Sequence, residues 1–168
     1  MKKIKRRWIK LGILCSVAVL LVLGFKIKDY RENPLWYEFK GKLMKENRLI
    51  KSVDRIYPGP HYIIGIYLKN DNVNFGIVEP IFENFLKELN RTEFVEELYA
   101  NYEKKGGQFA TMTVDFGLYG KGNSPFYYRF DIDLPPSDRE AIISGKWKLT
   151  SSTQEEYLYK EYRASDYK

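Results

Sequence analysis

The stretches "FATMTVDFGLYG" (109–120) and "FYYRFDIDL" (126–134) are the most regular parts of the chain. In both, apolar residues occupy every second position. This alternation is typical of strands with one buried and one solvated face. The Gly-rich residues 120–125 between them are a turn signal. The two stretches therefore predict a pair of half-buried antiparallel strands.

A second strand pair is predicted upstream. The turn signal "YPGP" (57–60) separates residues 53–57 from "HYIIGIYLK" (61–69), which is rich in β-branched and aromatic residues. We expect a hairpin here.

Helical spacing appears before and after that hairpin. Residues 33–50 predict a helix with Asn33 as its N-cap and Pro34 in its first position. Residues 79–89 predict another, with Pro80 in its first turn, and residues 92–104 a third, which starts with a capping box.

The remaining elements follow the two regular stretches. A capping box at residues 137–140 predicts a short helix, "KWKLT" (146–150) an added strand, and "TQEEYLYKEYRASDYK" (153–168) a charged helical tail. The fold class predicted for residues 35–168 is α+β, with helices packed on an antiparallel sheet of about four or five strands.

The charge of the chain is unevenly distributed. The net charge is +6, but eight of the 28 Lys and Arg residues lie in residues 1–28, which contain no Asp or Glu. Residues 29–168 thus hold 20 basic and 22 acidic residues. Binding to nucleic acid needs several cations facing phosphates, so a slightly acidic body argues against a nucleic-acid partner.

The basic N-terminal segment also contains the longest apolar run, "LGILCSVAVLLVLGF" (11–25). As a helix, residues 9–27 would extend about 28 Å, close to the thickness of the hydrocarbon core of a bilayer. Lysines at both ends can reach the headgroups, and a tryptophan suits the interface. The residues assigned to this membrane anchor are Trp8, Lys10, Leu11, Phe25 and Lys26.

Two other interpretations of the segment, a lipoprotein signal and a cleaved signal peptide, fit its residues less well. A lipoprotein signal needs a small residue before the acylated cysteine, but Leu14 precedes Cys15 and the apolar run continues after it. Cleavage near Gly24 would use a branched residue, Val22, where alanine is usual, and it stays open.

The excess of basic residues before the run predicts a cytoplasmic N-terminus. The predicted organisation is a basic segment (1–8), an anchor (9–27), a linker (28–34) and an extracytoplasmic domain (35–168). This places the chain in the cell membrane as a single-pass protein.

No catalytic constellation is visible. His61 is the only histidine and Cys15 the only cysteine, and the cysteine lies in the apolar run, so neither a nucleophile–histidine pair nor a zinc site is predicted. Carboxylates at Asp131, Asp133 and Asp138 resemble the Asp-x-Asp pairs of metal-dependent enzymes. A solvated strand face beside Arg129 explains them without a metal, so they are only weak candidates for metal ligands and we expect no cofactor.

Aromatic residues make up 16% of the chain, including 14 tyrosines. Tyr127, Tyr157, Tyr159 and Tyr162 are expected on the surface, where tyrosine offers a large contact area at low entropic cost. We therefore expect a non-enzymatic binding or assembly domain, such as an accessory component of an envelope or secretion complex. Its partner would be another envelope protein, a peptide or a glycan. A metal-assisted envelope enzyme and a small immunity-type membrane protein are the alternatives.

Overall fold

A computed structural model of the chain describes the backbone of residues 2–58, 61–69, 73–104, 111–118, 127–133, 140–151 and 160–167. Side chains are described for the same residues except 2–11, 133, 150 and 151. The chain divides into two compact units, residues 1–34 and 35–168.

The first unit is one long helix, α1 (Lys2–Glu32). Every side chain from Gly12 to Lys28 is exposed. After the helix ends, the amide of Asn33 turns back and donates to the carbonyl oxygen of Asp29 at 2.9 Å and to its carboxylate at 3.0 Å. The sequence predicts Asn33 as the N-cap of the next helix, and these two contacts tie its side chain to the last turn of α1.

No helix, over the residues whose side chains are described, combines the length and the apolar character needed to cross a membrane. The predicted anchor begins at residue 9, whereas the described side chains begin at Gly12.

The second unit has an α+β fold, as predicted. Its described helices are α2 (Pro34–Glu46), α3 (Phe75–Leu89), α4 (Thr92–Lys104) and α5 (Ala141–Ser144). Its described strands are β1 (Ile50–Ile56), β2 (His61–Leu68), β3 (Thr111–Leu118), β4 (Tyr128–Asp133), β5 (Trp147–Ser151) and β6 (Glu161–Tyr162).

The six strands form one mixed sheet in the order β1-β2-β3-β4-β5-β6. The predicted β1–β2 and β3–β4 pairs are antiparallel, and their pairing is confirmed. The expectation of a purely antiparallel sheet of four or five strands is wrong, because β2 and β3 run parallel. The helix pair α3–α4 lies between them, and such a crossover returns the chain to the same end of the sheet.

Helices α2, α3 and α4 bury their apolar stripes with one face of the sheet in a single core. Its centre is aromatic. The ring of Phe82 on α3 stacks on that of Phe130 on β4, with centroids 3.7 Å apart, and meets Trp147 edge-on at 5.5 Å. Offset and edge-on contacts of this kind add to the free energy gained from burial.

Helix α3 begins earlier than predicted. Its N-cap is Asn74, whose carboxamide oxygen accepts from the backbone N–H of Ile77 at 3.2 Å. Pro80 therefore lies in the second turn, not the first. The cap satisfies an N–H that the start of a helix otherwise leaves without a partner, and that fixes the boundary.

The predicted helical tail is wrong over its described part. Residues 160–167 form the short strand β6 and a 3-10 turn at Ala164–Asp166. Tyr162 and Ala164 are buried while Glu161 and Arg163 are exposed, which is the alternation of a strand. Residues 152–159 lie outside the described residues.

Candidate functional site

The face of the sheet opposite the helices carries a polar array on its central strands. Thr113 lies opposite Asp131, and Asp115 lies opposite Arg129, in the register of β3 and β4. Side chains alternate along a strand, so these four residues share the face that Val114 and Phe130 do not use. We call them the polar array.

An ion pair forms the centre of the polar array. Arg129 donates through Nε to Oδ1 of Asp115 at 2.7 Å and through Nη2 to Oδ2 at 3.0 Å. Asp115 has no exposed surface, whereas the Arg129 side chain is 43% exposed. The carboxylate of Asp115 is thus fully buried, whereas the guanidinium of Arg129 reaches the surface.

Burial raises the pKa of Asp115 above its usual 3.8, and the arginine offsets only part of that rise. The neighbouring Asp131 raises the pKa of Asp115 further. For Arg129, the hydrogen bond to Asp115 raises the pKa, so the arginine stays charged. The ion pair therefore presents one fixed cation above a buried counter-ion.

Tyr67 of β2 lies over the sheet next to this pair. A Cβ placed on Gly65 would come within 2.9 Å of the Tyr67 ring, so the ring lies directly against the glycine backbone. Gly65 is opposite Asp115 in the parallel register. Burial raises the pKa of Tyr67, and Asp54 and Asp115 raise it further. The ring and the glycine explain in part why Asp115 is buried on a face without helices.

The structure describes the three proposed metal ligands, Asp131, Asp133 and Asp138, to different extents. Asp131 is half-buried and accepts from the Thr113 hydroxyl at 2.8 Å. Asp133 lies opposite Thr111 in the register, but its side chain is outside the described residues, as is all of Asp138. Among the described side chains, no group of three His, Cys, Asp or Glu residues is placed to hold a metal ion.

His61 starts β2 on the same face. Its Nδ1 lies 2.6 Å from the hydroxyl of Thr111, and the ring is exposed. This hydrogen bond orients the imidazole of His61 against the hydroxyl of Thr111.

The four tyrosines predicted to form a partner surface have different environments. Tyr127 is half-buried beside β4, and Tyr157 and Tyr159 lie outside the described residues. The expected exposure is wrong for Tyr162, which is 2% exposed. Its ring packs edge-on against Phe82 at 5.4 Å, and its hydroxyl donates to Glu79 at 2.7 Å. Burial of the phenol and its bond to Glu79 raise the pKa of Tyr162 far above the usual value.

Of the predicted anchor residues, Phe25 and Lys26 are exposed on α1, Phe25 to 71%. Trp8, Lys10 and Leu11 belong to the same helix by their backbone, and their side chains are outside the described residues.

Sequence reasoning missed the carboxylate that starts α2. Glu97 on α4 accepts from the backbone N–H groups of Leu35 at 2.9 Å and of Trp36 at 2.7 Å. A carboxylate at this position satisfies two N–H groups and favours the positive end of the helix. No short-range motif marks it, because Glu97 lies about sixty residues after the helix that it caps.

A second missed group is Glu88, a buried carboxylate on α3. Lys42 on α2 donates to it at 2.9 Å and Arg91 at 2.8 Å. Burial alone would raise the pKa of Glu88, but these two hydrogen bonds outweigh it and hold the pKa below 4.5. The Lys42–Glu88 ion pair joins α2 to α3.

No protein-family model, no curated protein and no solved structure matches this chain.

Proposed function

We propose that the chain is a single-pass membrane protein whose C-terminal domain is an extracytoplasmic, non-enzymatic binding or assembly module. The observation that carries this proposal is the exposure of α1. Ten large apolar side chains between Ile13 and Ile27 are exposed to solvent. Burying each in an apolar phase is worth about 1.5 to 3 kcal/mol, so the helix gains most from a lipid environment.

The apolar surface surrounds α1 rather than forming a stripe. Residues 11–25 contain no charged residue. Lys10 lies directly before this run and Lys26 directly after it. A helix that packs on a domain normally keeps one polar face. The all-round pattern is typical of a helix surrounded by lipid, with lysines extending to the headgroups.

Orientation follows from the basic residues. Six Lys and Arg residues precede the apolar run, and two lysines with one arginine follow it up to residue 31. Under the positive-inside rule this difference favours a cytoplasmic N-terminus. Residues 35–168 then lie on the extracytoplasmic side of the membrane.

A binding role is favoured by the chemistry of the polar array. Its two carboxylates are already bound within the array, Asp115 to Arg129 and Asp131 to the hydroxyl of Thr113. The exposed part of a guanidinium that is held in this way loses little further entropy when it binds a polar group of a partner. The proposed partner is another envelope protein, a peptide or a glycan.

The first test is topology. Ser144 is exposed on α5; in a Cys15→Ser background, Ser144→Cys would be labelled by a membrane-impermeant maleimide in intact cells that produce the protein. Labelling only after lysis would contradict an extracytoplasmic domain. The matched control is the Cys15→Ser protein alone, which has no thiol and should give no signal.

The second test is crosslinking in native membranes. A photo-crosslinker at position 127 or 148 should recover a defined partner by mass spectrometry. Recovery of lipid alone from both positions would contradict a binding module.

A metal-assisted enzyme stays an alternative prediction. Calorimetry of the full chain in detergent with Ca²⁺, Mg²⁺ and Mn²⁺ tests it, with Asp131→Asn as the control. No heat from any of the three ions would remove this alternative.

A further inference from the structure

We propose that β1 is a docking edge, at which an extended acidic segment of a partner protein adds to the sheet as a further strand. This inference rests on the proposed binding function and names the kind of partner. Among the strands that the structure describes, β1 is terminal and has its neighbour β2 on one side only. A strand in that position presents a row of N–H and C=O groups that another chain can pair with.

The usable part of this edge is regular. The pairing of β1 with β2 is shifted between Ile50 and Ser52, and then continues without interruption from Ser52 to Ile56. The irregularity falls at the start of the strand, so an added strand would pair along Ser52–Ile56. Five residues are close to the usual strand length in globular proteins.

The exposed apolar residues of the second unit lie at the two ends of β1. Among its described side chains, the exposed large apolar ones are Leu49, at 39%, and Ile56, at 42%. Every other described large apolar residue of the second unit is buried or half-buried. Leu49 and Ile56 would therefore contact apolar side chains at the two ends of an added strand.

The charge around the edge is positive. Within residues 48–57, and at Lys69 opposite Leu49, there are four cations and one carboxylate. The cations are Arg48, Lys51, Arg55 and Lys69, which we call the basic rim. The carboxylate, Asp54, is paired with Lys40 of α2 at 3.4 Å.

The basic rim selects the occupant. Cations at an exposed edge repel a basic strand and a second copy of the same edge, which is a common protection against aggregation. The same charges attract an acidic segment, so protection and specificity come from one set of residues. Arg55 is also held in place, since its guanidinium lies 4.6 Å from the ring centre of Trp36.

The test measures binding of fluorescent peptides to the full chain in detergent micelles. The probes are a peptide of alternating valine and glutamate, the same length of alternating proline and glutamate, and one of alternating valine and lysine. Proline removes the backbone donors that a strand needs while the charge stays the same. We expect binding of the valine–glutamate peptide alone.

Strand pairing has its own readout. In hydrogen exchange, the bound peptide should slow exchange of amides in residues 52–56, which gain a partner on the open side. Lys51→Glu should weaken binding by about fivefold, as expected for reversal of one exposed charge. Lys87→Glu is the matched control, because Lys87 is an exposed lysine on α3 and not on the sheet edge, and it should leave binding unchanged.

The outcomes are distinct. Equal binding of the proline and valine acidic peptides would overturn the proposal in favour of charge attraction alone, and binding of neither would overturn it outright. Light scattering that shows dimers lost on Lys51→Glu would assign the edge to a second copy instead. These results leave the membrane anchor untouched, whereas failure of the topology test would leave peptide binding intact.

Discussion

Helices α1 and α3 are both rich in large apolar residues, but these side chains are exposed on α1 and buried on α3. On α3, six large apolar side chains, among them Phe82 and Phe85, are buried, and Glu79, Glu83 and Lys87 recur every four residues on the other side. On α1, the apolar side chains from Ile13 to Ile27 are exposed and no polar stripe accompanies them. Periodicity marks a helix that packs on a core, and an unbroken run marks one that needs another environment.

The largest expected effect tests the buried side of that comparison. Phe82→Ala removes the ring that stacks on Phe130 and should lower the free energy of unfolding by about 4 kcal/mol, through lost burial and a cavity. Urea unfolding of the full chain in detergent measures it. The matched truncation in α1, Leu20→Ala, should leave the unfolding of the domain unchanged. An equal loss from both would mean that α1 packs as α3 does.

The next effect separates the two faces of the sheet. Arg129→Met leaves Asp115 buried without its counter-ion and should cost about 3 kcal/mol at neutral pH. The variant Asp115→Asn/Arg129→Met should recover much of that stability, because no charge then stays buried. A double variant as unstable as Arg129→Met would show that packing, not charge, holds this face.

The pH dependence of this pair has a definite sign. The folded pKa of Asp115 is above its usual 3.8, so the folded state holds the proton more tightly than the unfolded chain. Its contribution to stability is therefore lost as pH rises from about 3.8 through the folded pKa. Arg129→Met should enlarge that loss, which urea midpoints across the acidic range would measure.

Glu88 should show the opposite dependence. Its folded pKa is below 4.5, so the stability from its bonds to Lys42 and Arg91 is present above that pH and is lost as pH falls through the folded pKa. Glu88→Gln should cost about 2 kcal/mol at neutral pH, the size expected for hydrogen bonds to charged groups. The variant should also lose less stability on acidification than the wild type. A parallel loss in both proteins would contradict this role.

The smallest effect concerns the start of α2. Glu97→Ala removes the acceptor for two backbone N–H groups and should cost about 1 kcal/mol. The neighbouring Glu96 is exposed, so Glu96→Ala is the control and should change the unfolding free energy by less than about 0.5 kcal/mol. Equal effects would mean that helix propensity, not capping, accounts for the change.

The comparison of α1 and α3 also shows what the sequence could predict. Alternation in residues 109–120 and 126–134 correctly predicted two paired strands, and the turn at residues 57–60 predicted the hairpin. Local patterns report which face of an element is apolar. They do not report which strands become neighbours, so the parallel β2–β3 pair and the central position of β3 were missed.

The candidate site shows the same limit. Alternation put Asp115 and Asp131 on one face, but it treated that face as solvated, whereas Asp115 is fully buried. The sequence predicts Tyr162 on the surface, within a charged helical tail, yet one strand residue can be buried in an aromatic core between two exposed ones. The Glu97 cap joins residues about sixty positions apart, and no local rule reaches that far.

Alkaline carbonate extraction of cell membranes tests most directly whether α1 spans a membrane. The full chain should stay in the membrane pellet. Leu20→Arg/Leu21→Arg should move it to the supernatant, because an arginine at the centre of a spanning helix costs about 2.5 to 3.5 kcal/mol. The domain's urea midpoint should not change. Wild-type protein released by carbonate, or a doubly charged variant retained like the wild type, would contradict a membrane-spanning α1.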